Sequence, residues 1–192
     1  LSQVIQALEA RGLRKGDTVG TLSANRTEAF LMTAASYFIG LRLTRMHPLA
    51  SEDDHAYILE DAGITTVFFD PDGYGDRARA LAARVTGVQA LCALGPVAEV
   101  AGDAQARVQP ADLMAEAARF TPAPLIPKAG ADDVCNLTYT GGTSGKPKGA
   151  VHTQGVQVSM VMAELSEWDW PQEVRFLAMT PITHAAGSMI VA

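Results

Sequence analysis

A chain of 192 residues, 48% hydrophobic and 19% charged, has enough apolar material for one large or two small cores, which excludes a disordered chain. Fifteen Lys+Arg against 21 Asp+Glu leave a formal charge of −6, which opposes nonspecific binding to nucleic acid or anionic lipid. Two cysteines, Cys92 and Cys135, are too few for a disulfide framework or a structural zinc site and point to a reducing, cytoplasmic setting.

Val4, Leu8 and Leu13 mark a partial helix ending near Gly12, and a strand from Asp17 to Leu22 follows. Glu28 to Gly40 reads as a core helix. Its apolar run, Phe30 to Leu41, is about half of what a membrane crossing needs, and Thr33 and Ser36 interrupt it. Leu43 to Met46 is a short strand running into a turn at Pro48. Ser51, three residues before Asp54, supplies an acidic version of the capping box for a helix that stops at Gly63. Ile64 to Phe69 is a fully buried strand, closed by the turn residues Asp70-Pro71-Asp72-Gly73. A helix over Arg77 to Val85 and a strand over Val88 to Leu94 come next. This alternation predicts an α/β fold of βαβ units around a mostly parallel sheet.

From Ala101 the pattern weakens, although Asp112 to Phe120 is compatible with a helix. Three prolines within Thr121 to Pro127 remove backbone donors and favour extended chain. Residues 1–120 therefore form the βαβ-rich part, 121–131 a connecting segment, and 132–192 a second part of the same domain. That second part is expected to hold a strand from Val134 to Tyr139, a glycine-rich loop, a strand from Ala150 to Thr153, a helix over Val156 to Leu165 and a strand from Arg175 to Met179. The chain begins without Met and ends in apolar residues, so a segment of a longer protein is expected, with a cut edge that favours self-association.

The most informative stretch is Leu137 to Gly149. Four glycines in the nine residues from Gly141 to Gly149, directly after a strand, permit close backbone approach to a ligand, and successive N–H groups there form an anion-binding concavity. Thr140, Thr143 and Ser144 add hydroxyl donors, and Lys146 and Lys148 add charge. Between Val134 and Ala163 there are two lysines and no acid, so the positive potential is local within an acidic chain. Pro147 drives Lys146 toward extended backbone, where Lys146 and Lys148 share a side. A P-loop of the Walker type is excluded twice: Thr140 stands where its first glycine belongs, and Pro147 follows the lysine.

Tyr139 to Gly149 resembles the phosphate-binding signature of the adenylate-forming superfamily: acyl-CoA synthetases, aryl-CoA ligases, luciferases and peptide-synthetase adenylation domains. The resemblance extends to Gly16-Asp17-Thr18-Val19 with Asn25, to Met46-His47-Pro48 with Ser51, and to Pro181-Ile182-Thr183-His184-Ala185-Ala186-Gly187. It implies part of the large N-terminal domain of an acyl-CoA synthetase-like fold. It also implies ATP-dependent acid–CoA ligation, in which a fatty or aryl acid is adenylated and then transferred to coenzyme A. Thr140, Gly141, Gly142, Thr143, Ser144 and Gly145 would form the phosphate cradle, with Thr143 also the contact to Mg²⁺. Lys148 would be the phosphate lysine, Lys146 its flank, and His184 the residue beside the acyl carboxylate.

Two departures stand out. Gly141 replaces a serine of the family loop, removing a hydroxyl, and Gln154 stands where a histidine is common. The family's later adenine, ribose, hinge and catalytic-lysine segments do not occur within the 192 residues, so this piece alone is expected to be inactive. Other readings are a nucleotide-binding regulatory module without chemistry and an aryl- or amino-acid adenylation domain.

Overall fold

The computed structural model describes residues 1–97, 106–140, 145–173, 175, 177 and 179–184. Its elements run α1 (Ser2–Ala10), β1 (Thr18–Leu22), α2 (Thr27–Ile39), β2 (Arg42–Arg45), α3 (Glu52–Asp61), β3 (Thr66–Phe69), α4 (Pro71–Arg84), β4 (Ala90–Ala93), β5 (Pro110–Asp112), α5 (Leu113–Ala117), β6 (Val134–Thr140), β7 (Lys148–Thr153) and α6 (Gln154–Glu167). The strands form one sheet in the order β5-β4-β3-β1-β2-β6-β7, parallel throughout except for the antiparallel β6–β7 pair. The expected α/β class and mostly parallel sheet are observed.

Side-chain alternation along the strands sorts the core onto two faces. Val19, Leu43, Phe68 and Cys92 join α1, α2 and α5 on one side. Leu22, Val67, Phe69, Leu91 and Ala93 join α3 and α4 on the other. Strands β1, β3 and β4 are covered on both faces, which is why their sequences are nearly continuous apolar runs. By contrast α6 buries none of its side chains, and Val156, Val158, Met162 and Leu165 lie exposed on it. No helix among the described residues is long and apolar enough to cross a membrane.

One expectation is corrected. The Asp70-Pro71-Asp72-Gly73 stretch is not a free turn but the start of α4, six residues before the expected helix. The Asp70 carboxylate accepts from the Asp72 N–H at 3.1 Å, and Pro71, which has no N–H to satisfy, occupies the first helical turn. β5, not among the elements expected from the sequence, is a three-residue edge strand opening on a proline, too short for periodicity to reveal. The strand expected from Arg175 to Met179 lies partly outside the described residues, at 176 and 178, and Arg175, Leu177 and Met179 are assigned to no element.

Ser51 caps α3 as its spacing implies, accepting from the Asp54 N–H at 3.1 Å. Within α3, His55 is fully buried: one ring nitrogen lies 2.9 Å from the His47 carbonyl oxygen and the other 3.3 Å from the Arg77 guanidinium. Because Arg77 can only donate, Nδ1 accepts and Nε2–H donates to His47, which ties the His47-Pro48 turn to the core. Burial lowers the His55 pKa, the His47 carbonyl opposes that shift, Arg77 reinforces it and Asp54 opposes it. The unfolded chain therefore binds more protons below the ordinary value of 6.5, so this stabilisation is complete above that pH and is lost as pH falls through the folded value. Urea midpoints should drop from about pH 7 to about pH 5 more steeply for the native protein than for His55→Gln. Equal slopes would show that His55 carries no such linkage.

Candidate active site

Parallel pairing places the carboxyl ends of β1, β2, β3 and β4 on one edge, and β6 runs in the same direction beside β2. Open α/β sheets bind ligands outside these ends, near the strands where the winding order reverses. Here the reversal lies between β1 and β3, since the chain leaves β1 toward β2 on one flank and leaves β3 toward β4 on the other. The glycine-rich loop leaves from the end of β6, roughly 10 Å or two strand spacings from the end of β1.

β7 returns antiparallel, with Thr140 opposite Lys148, Tyr139 opposite Gly149 and Thr138 opposite Ala150. Residues 141–147 are thus the connection of a β-hairpin, closed by a 3.5 Å hydrogen bond from the Thr140 hydroxyl to the Lys148 carbonyl. Gly145 has φ +141°, a conformation that a side chain would strain. At Gly149 an added Cβ would approach the Tyr139 ring to 3.1 Å, so glycine there admits the ring across the ladder. Thr140, Gly145, Lys146 and Lys148 are all exposed at this hairpin end. Gly141, Gly142, Thr143 and Ser144 lie outside the described residues.

The hairpin is fastened to α3. The Tyr139 hydroxyl donates to Asp61 at 2.6 Å, and the Tyr57 hydroxyl donates to the other Asp61 oxygen at 3.2 Å. Burial first, and then the Asp61 carboxylate, raise the Tyr139 pKa, so the phenol remains a donor. Lys146 Nζ stands 4.7 Å from the centroid of the Tyr57 ring, a cation–π distance. This contact distinguishes the two lysines, for Lys146 rests on α3 while Lys148 begins β7. Sequence reasoning missed Tyr57 and Asp61. Nothing in a helix-surface carboxylate 78 residues from its partner marks it in advance.

Residues 180–184 reach the same edge through Asn25, which lies between β1 and α2. Its amide nitrogen donates to the Thr180 carbonyl at 3.0 Å and its oxygen accepts from the Ile182 N–H at 2.8 Å. Arg45, at the end of β2, donates to the Ile182 carbonyl at 3.4 Å, and the His184 N–H closes a turn onto the Pro181 carbonyl at 2.9 Å. His184 is exposed, and Ala185, Ala186 and Gly187 lie outside the described residues. The edge therefore brings together two segments that the sequence singled out separately.

Other candidate groups fall elsewhere. Cys92 and Cys135 are free and buried, and burial raises both thiols to about 11, so neither is a ready nucleophile. Among the described residues no group of three or more His, Cys, Asp or Glu side chains is arranged to hold a metal. Gln154 donates to the Tyr37 carbonyl at 3.1 Å and thus ties the start of α6 to α2. A cleft of about 410 Å³ beside it, lined by Tyr37, Phe38, Pro127 and Val158, opens near the end of α2 and contains none of the sequence-predicted site residues.

Comparison with known proteins bears on the family and the fold. The family model for "AMP-binding enzyme" matches residues 1–192. The chain is 44% identical over 190 residues to the medium/long-chain-fatty-acid–CoA ligase FadD8 of Mycobacterium tuberculosis, covering 98% of this chain and 32% of that protein. It is 32% identical over 192 residues to a feruloyl-CoA synthase of an Amycolatopsis species, covering 97% of this chain and 33% of the synthase. Among solved structures, ATP-bound MatB from Rhodopseudomonas palustris matches with a TM-score of 0.80 at 26% identity, over 99% of this chain and 35% of MatB. The chain spans about a third of the length of these curated relatives. With the family model matching every residue from 1 to 192, and the fold shared with solved relatives, the chain belongs to the AMP-binding enzyme family.

Proposed function

We propose that the protein containing this chain is an ATP-dependent acid–CoA ligase acting on a fatty or aryl acid. The observation that carries this reading is the convergence, on one sheet edge, of the hairpin loop closed by Thr140 and Lys148 with the segment bearing His184. Relatives named as fatty-acid–CoA ligase and feruloyl-CoA synthase support the acid classes. The absence of Asp or Glu from Val174 to Ala192 argues against an acid bearing an α-ammonium group. The two unpaired thiols fit a reducing, cytoplasmic setting.

In the first step a carboxylate oxygen of the acid attacks the α-phosphorus of ATP. The bond to the bridging oxygen breaks, releasing pyrophosphate and leaving an acyl-adenylate. In the second the thiol of coenzyme A attacks the acyl carbon, AMP leaves, and the thiol proton is released. The protein's task in the first step is alignment and charge neutralisation. Backbone N–H groups from Gly141 to Gly145, the hydroxyls of Thr140, Thr143 and Ser144, and the Lys148 ammonium would cradle the phosphates. Lys146, held over Tyr57, flanks them. His184 would face the acyl carboxylate and adenylate.

Mg²⁺ would enter with the nucleotide and offset phosphate charge. The Thr143 hydroxyl would be its contact from the protein, and the ion would supply charge neutralisation at the phosphates.

In the full-length protein, Lys148→Ala and Thr143→Ala should each lower kcat/KM for ATP in acid-dependent ATP–pyrophosphate exchange by about 10²–10³-fold. Lys146→Ala should cost less than about tenfold and act mainly through KM for ATP. Normal kcat/KM in both of the first two variants would remove the cradle assignment. The isolated 192-residue chain should show no exchange above background; measurable exchange would mean that a region corresponding to the rest of the relatives' length is dispensable for adenylation.

A further inference from the structure

An asparagine side chain is a peptide group on a short stem, with one carbonyl acceptor and an amide donor side by side. Asn25 uses both on one passing strand of backbone, taking the Ile182 N–H on its oxygen and giving its own N–H to the Thr180 carbonyl. This two-point grip fixes both the distance and the rotation of residues 180–182, as a ladder pair would. The turn from His184 N–H to Pro181 carbonyl carries that placement forward to the imidazole-bearing residue.

The grip has a firm base. The next residue, Arg26, has its guanidinium held by Glu28 at 2.9 Å, by Asp70, and by Asp72 at 3.5 Å. Asp70 is buried at the end of β3, so the loop carrying Asn25 is tied to the neighbouring strand as well as to its own. From the other side, Arg45 holds the Ile182 carbonyl, and Ile182 packs against the core under α1 and α2. The described residues of the hairpin share none of the contacts of this anchor; β6, β7 and Asp61 hold them.

We propose that Asn25 is a positioning residue that sets His184 against the reacting acid. This inference rests on the ligase reading for its catalytic consequence, and on geometry alone for the grip itself. Asn25→Ala removes both hydrogen bonds. Asn25→Asp keeps the acceptor for Ile182 but presents an oxygen without a proton to the Thr180 carbonyl, so its effect should be intermediate. Because a misplacement on the order of 1 Å can cost about a hundredfold in rate, the loss should appear in kcat. KM for ATP should stay within about threefold, because the phosphates are held by the separate hairpin.

Two measurements on the full-length protein test this. The first is amide hydrogen exchange at Ile182, which is independent of activity: Asn25→Ala should speed it by about tenfold, with Asn25→Asp between native and alanine. The second is acid-dependent ATP–pyrophosphate exchange in a double-mutant cycle with His184→Ala. Asn25→Ala alone should lower kcat by about tenfold to a hundredfold, and should cost almost nothing further once His184 is alanine. Unchanged exchange at Ile182 would overturn the grip. Full additivity in the cycle, or a loss confined to KM for ATP, would overturn the link to His184. If Asn25→Ala does not fold, Asn25→Asp carries both measurements. A native protein inactive toward every fatty and aryl acid would instead overturn the ligase reading, and the hydrogen-exchange result would then decide the grip alone.

Discussion

A parallel sheet forces direction on everything attached to it. Each parallel strand must be reached by a crossover from the opposite edge, so every loop that follows a strand emerges on the same side. In this chain Asn25, Arg45, Asp70 and Thr140 follow or end four different strands, and all of them come out along that one edge. Reactive groups that lie far apart in sequence are collected there by topology rather than by local folding. The single antiparallel strand, β7, turns the last of those exits into a hairpin, and the hairpin is what gives a glycine-rich loop two fixed ends.

Charge is distributed to match. The chain is acidic overall, yet Val134 to Ala163 contains no acid, so a polyanion meets positive potential at the hairpin and repulsion over much of the remaining surface. Behind the edge, the carboxylates have partners: Asp70 holds Arg26, and Asp61 accepts from two tyrosines. These acids are spent on holding loops in place. Lys148 is left at the mouth of the hairpin, whereas Lys146 lies over the Tyr57 ring.

Support for the site comes from three separate anchors. Asp61 fastens the hairpin to α3, Asn25 and Arg45 fasten residues 180–184 to the ends of β1 and β2, and His55 with Arg77 fastens the His47-Pro48 turn. Each anchor uses one or two side chains on regular elements to hold a segment that lacks regular structure. Such an arrangement fixes the stem of a loop through groups on regular elements.

Local chemistry was readable from the chain itself. The buried strand at Ile64 to Phe69, the Ser51 cap, the core helix ending at Gly40 and the strand–glycine loop–strand unit after Val134 all follow from side-chain period, capping and turn residues, which act over a few neighbours. The Asp70-Pro71-Asp72-Gly73 stretch was misread because a proline and a glycine after an aspartate suit a turn and a helix start equally. Burial of Asp70 against Arg26, 44 residues away, accompanies the helical outcome. Asn25 and the segment bearing His184 could each be singled out by motif, but the hydrogen bond between Asn25 and Ile182 across 157 residues could not, nor could the fastening of Tyr139 to Asp61. Sequence determined which segments become strands and helices and where a glycine-rich connection joins two of the strands, because those choices depend on neighbours along the chain. Only the tertiary structure decided which of those segments share an edge and which side chains hold them there, because that depends on strand order and on contacts that no local pattern encodes.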